Sequence, residues 1–200
     1  MLFRSGQAAC SCSGAPAAGN WYGLHFAPGS SGQITHAFIG YGTANAFQPV
    51  VGWNKAHIYV DNAAVTFANL ELAYGGRPGI YLRGSGENVQ ITDSIIRGHT
   101  GVVSYPGVTA IYQESINMQP LYGNLTFSSN TRDEVTIDVN TAMTRSVTLG
   151  GTPYGFVCGY TLCQLVVPSG AALPVNPGTL LAFGPSYGIG IASGGALVAG

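Results

Sequence analysis

Apolar and polar residues alternate over three or four positions in a short phrase that recurs along the chain. Val65-Thr-Phe67-Ala-Asn69-Leu-Glu-Leu72 returns as Val89-Gln-Ile91-Thr-Asp93-Ser-Ile-Ile96 and, more loosely, as Ala110-Ile-Tyr112-Gln-Glu114-Ser-Ile-Asn117. Each copy alternates, reaches a polar residue and resumes with apolar side chains, which predicts a short strand, a corner and a second strand. Asn69, Asp93 and Glu114 take the corner, 24 and then 21 residues apart. A period of that size points to stacked repeats and not to one closed core.

Around these phrases, Leu24 and Phe26, then Ile34, His36 and Phe38, then Val50, Val51, Ile58 and Val60 continue the alternation, and pairs such as Gly75-Gly76 and Pro106-Gly107 supply corners. No window carries an i, i+3, i+4, i+7 apolar stripe with caps, so almost no helix is expected. Strands of three to five residues separated by short turns cannot make long hairpins. They can coil into an all-β parallel β-helix whose rungs stack at about 4.8 Å. Roughly five to seven rungs fit the chain, with residues 1–20 as a lead-in, 21–145 as rungs and 146–200 as the start of a following repeat unit.

Two stretches make the reading more specific. Trp21-x-Gly-Leu-x-Phe26, followed by Gly-Ser and by Ile34-x-His-Ala-x-Ile39-x-Tyr41-Gly, resembles the W-x-G-I-x-F opening of a right-handed parallel β-helix repeat of large secreted bacterial proteins, in the pectin-lyase-like superfamily. Residues 153–200, with Val167-Pro-Ser-Gly170, Pro177-Gly178 and Gly195-Ala-Leu197-Val-Ala-Gly200, are similar to the segment that opens a repeat there. The resemblance implies an extracellular or cell-surface, adhesin-like structural module without catalytic activity, flanked by further repeats of a longer chain. Polysaccharide lyases and polygalacturonase-like hydrolases share that fold, so it equally admits a carbohydrate-active enzyme or a carbohydrate-binding module. An enzyme should gather three or more carboxylates and a basic residue in one groove, whereas a scaffold should disperse its charges.

Charge narrows the partners. Only 8% of the 200 residues are charged, the formal net charge is −1, and Lys55 is the one lysine, so the cationic cluster that nucleic acid requires is missing from the sequence. Apart from Arg4, every charged residue lies between Lys55 and Arg145. Mean hydropathy is +0.25, yet no run approaches the roughly 18 apolar residues of a spanning helix. The first residues lack the apolar core of a cleavable signal.

Candidate chemistry is sparse. If Asn69, Asp93 and Glu114 stack on adjacent rungs, two carboxylates lie about 5 Å apart, and they must be solvated, protonated or bridged by a cation such as Ca2+. Such a ladder would serve as a cation site, as an acid/base pair or as plain corner structure. Trp21, Trp53 and Tyr81 head a set of aromatics whose outward members would stack on sugar rings. Cys158 and Cys163 enclose four residues, a spacing that suits a disulfide in a secreted protein or two buried thiols. The C-x-C pair Cys10 and Cys12 has no zinc spacing. His99 sits in Gly98-His-Thr-Gly101 and reads as a turn histidine. Gly184-Pro-Ser186-Tyr-Gly188 matches a serine-hydrolase expression, but without the helix that the nucleophile turn needs.

Overall fold

The computed structural model describes residues 15–17, 21, 23–42, 56–101, 108–158, 163–185 and 187–200. There is no helix among them, and they form fifteen strands. They are β1 (Leu24–Phe26), β2 (Ser31–Gly40), β3 (Ile58–Asp61), β4 (Ala64–Ala73), β5 (Ile80–Arg83), β6 (Val89–Arg97), β7 (Ile111–Gln113) and β8 (Leu121–Ser128). The rest are β9 (Val135–Asp138), β10 (Tyr154–Val157), β11 (Cys163–Val167), β12 (Ala172–Val175), β13 (Leu181–Phe183), β14 (Tyr187–Ile191) and β15 (Ala196–Ala199). Every described pairing is parallel. One sheet runs β1-β3-β5-β7-β9-β10-β13 and a second β2-β4-β6-β8, with β11-β14 and β12-β15 as separate pairs. Up to β9, strands that are neighbours in a sheet are thus separated in sequence by a strand of the other sheet; β10 follows β9 directly, and the uncharged segment after Arg145 adds β10 and β13 to the same long sheet.

Constant register turns sequence periodicity into columns. In the long sheet, Leu24, Ile58, Ile80, Ile111, Val135, Tyr154 and Leu181 stand in one row, and Phe26, Val60, Leu82, Gln113, Ile137, Phe156 and Phe183 in another. Facing them are Ile34, Phe67, Ile91 and Tyr122, then Ile39, Leu72, Ile96 and Phe127. Apart from Gln113 and the exposed Phe183, these rows meet in a single apolar core, each fully buried aliphatic contributing roughly 1.5–3 kcal/mol. Among the buried polar residues, Gln113 and Ser94 on these strands are satisfied. Gln113 donates through Nε2 to the carbonyls of Ser115 (2.8 Å) and Met118 (3.3 Å) and accepts the Tyr122 hydroxyl on Oε1 (3.1 Å). Ser94 accepts the Leu70 amide at 3.1 Å and donates to the Thr92 carbonyl at 2.6 Å.

The polar corner of the recurring phrase has a backbone cause. Asn69 and Asp93 adopt the left-handed conformation, with φ of 52° and 49°, a region that Asn and Asp tolerate better than other non-glycine residues. One left-handed residue resets the alternation. In β4, Val65 and Phe67 before the corner and Leu70 and Leu72 after it all point inward. The register between flanking pairs sets His36, Asn69, Asp93 and Asn124 level on successive strands, and all four have φ near 50°. A second left-handed column ends the same strands at Tyr41, Tyr74, Gly98 and Ser129.

Phe67→Ala should lower stability by about 3–5 kcal/mol, seen as a fall in the urea midpoint. Phe38→Ala, on the outward side of the same sheet and 51% exposed, should stay within about 0.5 kcal/mol. Equal effects would contradict this assignment of faces.

Candidate functional site

On the long sheet the residues between the inward positions lie on the face opposite the main core, where Tyr59, Tyr81 and Tyr112 form a second buried cluster, and they repeat. Ile58-Tyr59-Val60-Asp61, Ile80-Tyr81-Leu82-Arg83, Ile111-Tyr112-Gln113-Glu114 and Val135-Thr136-Ile137-Asp138 are the same four-residue unit on four adjacent strands. Its second position builds a ring stack: His25 over Tyr59 at 5.0 Å, Tyr59 against Tyr81 at 5.3 Å, and Tyr81 against Tyr112 at 4.6 Å. Thr136, Gly155 and Ala182 continue the row with small side chains.

The fourth position builds a row of charge. Arg83 lies between carboxylates of the neighbouring strands, 3.3 Å from Glu114 and 3.9 Å from Asp61. Tyrosine hydroxyls reach one strand ahead into this row. Tyr81 donates to Glu114 Oε1 (3.2 Å) and Tyr112 to Asp138 Oδ2 (2.7 Å), while the Tyr59 hydroxyl bonds with Arg83. Burial, then the Glu114 and Asp138 charges, push the Tyr81 phenol far above its ordinary range; burial also raises Tyr59. Tyr81 is therefore a neutral donor that holds Glu114 in place, Tyr112 donates likewise to Asp138, and Tyr59 accepts from the Arg83 guanidinium.

Asp61, Arg83 and Glu114, with Pro28, Asn62, Gly84, Ser115 and Thr141, line an open cleft of about 630 Å3. Gly84 has a φ of 96°, and a Cβ there would stand 2.7 Å from the Asn62 side chain, so the wall admits only glycine. Further along, Glu134 lies across Gly155, where a Cβ would meet its carboxylate oxygen at 1.9 Å. Burial pushes the Glu134 carboxyl upward, while Arg132 and Thr136 pull it down.

The candidates drawn from the sequence regroup here. Asn69 and Asp93 share a column, but its third member is Asn124, whose Nδ2 donates to Asp93 Oδ1 at 2.8 Å. Glu114 stands elsewhere, at the end of β7 beside Arg83, because the third copy of the phrase is a strand of the long sheet and not a corner strand. The ladder thus holds one carboxylate, and the repulsion expected between two does not arise. Among the described residues no group of three or more His, Cys, Asp or Glu could hold a metal ion. Tyr81 is packed between two other tyrosines and 7% exposed, so its ring faces are taken and its hydroxyl carries the chemistry. Trp21 is half-buried, donates Nε1 to the Gly40 carbonyl at 2.8 Å and packs on His57. Trp53, Cys10, Cys12 and Ser186 lie outside the described residues. Cys158 and Cys163 are joined as a disulfide, with Cα atoms 6.1 Å apart. Sequence reading missed Asp61, Arg83 and Asp138, although the Ile-Tyr-apolar-charged unit was there to find them.

In comparisons with known proteins, the chain matches no family model, no curated protein and no solved structure. No helix among the described residues is long and apolar enough to cross a membrane.

Tyr112→Phe removes the hydroxyl that satisfies Asp138 and should lower stability by about 1–3 kcal/mol, read from the melting temperature. An unchanged melting temperature would mean that the carboxylate finds an equivalent donor.

Proposed function

We propose that the chain is a right-handed parallel β-helix module of the pectin-lyase-like type, acting outside the cell or at its surface as an adhesin-like element that holds glycans along its outer face. The fold reading is supported by parallel pairing throughout, by neighbours in each sheet that come from successive passes of the chain, and by side-chain rows running across strands. The functional reading rests on one observation: Asp61, Arg83 and Glu114 form a polar row beside stacked tyrosines and line an open cleft, with Asp138 buried at the end of the row.

That composition fits a hydroxyl-rich ligand. Carboxylates accept from sugar hydroxyls, the guanidinium donates in a planar fork, and the tyrosine hydroxyls keep both in position without ionising. Two carboxylates, Asp61 and Glu114, against one arginine leave the cleft short of positive charge, which disfavours uronate-rich or sulfated polymers through like-charge repulsion. The Cys158–Cys163 disulfide supports an oxidising compartment.

The same gathering of charge favours a second reading, a carbohydrate-active enzyme, because glycosidic cleavage uses two carboxylates flanking the bond. On a glycan array, the wild-type protein should retain neutral oligosaccharides, and Arg83→Ala and Glu114→Gln should each weaken retention at least tenfold. No retention, or retention indifferent to both substitutions, would overturn the binding site. Release of new reducing ends from a retained glycan would move the assignment to the enzyme.

A further inference from the structure

Two buried histidines take no part in the cleft. His57 and His99 are fully buried, and with Asn130 they make a hydrogen-bond chain with one direction. The Gly42 amide donates to His57 Nε2 at 3.0 Å, which leaves the proton of a neutral His57 on Nδ1. That nitrogen faces His99 Nε2 at 3.1 Å, so His99 accepts there and carries its own proton on Nδ1, 3.2 Å from Asn130 Oδ1. Asn130 Oδ1 also accepts the His99 amide (2.9 Å), and Asn130 Nδ2 donates to the Ile96 carbonyl and to Asp133 Oδ1, both at 2.8 Å. Each ring thus uses one nitrogen as donor and one as acceptor, which only neutral imidazole can do.

We propose that this chain is an acid-sensitive clasp, which holds the segment carrying β1 and β2 on the stack while both imidazoles are neutral and loosens it when either gains a proton. An imidazolium is a donor at both nitrogens. On His57 it would set N–H against the Gly42 N–H, and on His99 against the N–H of His57. The join at stake is local. Gly42 bridges to Trp21, Trp21 bonds Gly40 and packs on His57 at 5.3 Å, and a Cβ at Gly42 would collide with the His57 ring at 2.2 Å.

Among the described residues, no charged group compensates a proton here. The surroundings are the Trp21 ring, the backbone of Gly40 and Gly42, the backbone of Pro78 and Gly79, the Ile96 side chain, the Arg97 carbonyl, Thr131 and Asn130. The Arg97 guanidinium turns outward to Glu71 and Tyr74, and Asp133 reaches the rings only through the Asn130 amide. Burial lowers His57 to about 3, with the neighbouring His99 adding to the effect, and lowers His99 to about 4, against weaker opposing pulls from the Gly40 and Arg97 carbonyls and Asn130. Because both folded values lie below the ordinary 6.5, the contribution is complete above that pH and is lost as pH falls from there toward 4. Carboxylates titrate mostly below this window, near about 4. Glu134, whose carboxyl burial raises, acts with the opposite sign, since its protonation favours the fold.

Amide hydrogen exchange from pH 7.5 to 4.5, corrected for intrinsic rates, tests the clasp. Opening of β1 and β2 should rise about tenfold per pH unit for each histidine below pH 6.5, while β9 and β10 stay protected. A double variant, His57→Gln with His99→Gln, should flatten that profile. If it does not fold, 15N spectra of the wild-type imidazoles decide: both rings must be neutral and protonated on Nδ1 down to pH 5. Flat exchange in the wild type, loss of protection in β9 and β10 at the same pH, or an imidazolium at pH 6 would overturn the clasp.

Discussion

Parallel pairing in constant register, pass after pass, is the constraint on which everything else in this molecule rests. The backbone bonds of each strand reach its neighbours in the sheet, so the described strands satisfy their polar groups without hairpins or helices. Identical positions in successive passes then fall in line. Inward, that alignment makes rows of Ile, Leu and Val from which an apolar core is assembled. Outward, the same alignment draws up Tyr59, Tyr81 and Tyr112, with Asp61, Arg83 and Glu114 beside them. Core and cleft are two sides of one periodicity.

The left-handed corners show why so few residue types suffice. A strand that kept strict alternation through Asn69 would turn either Phe67 or Leu70 to solvent; the single residue at positive φ brings both inside. Tyrosines at 41 and 74 accept the same backbone conformation at a position where the following pass uses Gly98. Their rings stack at 5.2 Å, and the Arg97 guanidinium sits 4.6 Å from the Tyr74 centroid. Ring stacking and a cation–π contact offset a backbone conformation that disfavours bulky side chains.

Much of this was legible from residues alone, and the lapse has a plain cause. The strand-corner-strand phrase located Asn69 and Asp93, and the missing helical stripes gave an all-β chain. The third corner strand, however, is Leu121–Ser128, 31 residues beyond the second corner and not 21, because the connection between β6 and β7 is longer than the one before it. Repeat reading that assumes a near-constant period slides onto Ile111-Tyr112-Gln113-Glu114, which belongs to the other repeat. Had Ile-Tyr-apolar-charged been recognised as a second motif in its own right, Glu114 would have been grouped with Arg83. The clasp had no sequence signal at all: His57 and His99 are 42 residues apart, and only the stacking brings them together.

Gln113 gives the stack a form of proofreading. Rows of near-identical aliphatics are degenerate, since a single strand displaced by one level would find much the same surface to pack on. A buried amide breaks that degeneracy, because its oxygen is matched by the Tyr122 hydroxyl and its nitrogen by the carbonyls of Ser115 and Met118, all on its own pass. Slipped a level against Tyr122 and the Ser115–Met118 turn, the same amide would be stranded against aliphatic walls, so an error of assembly within this pass is penalised where an all-aliphatic row would let it through.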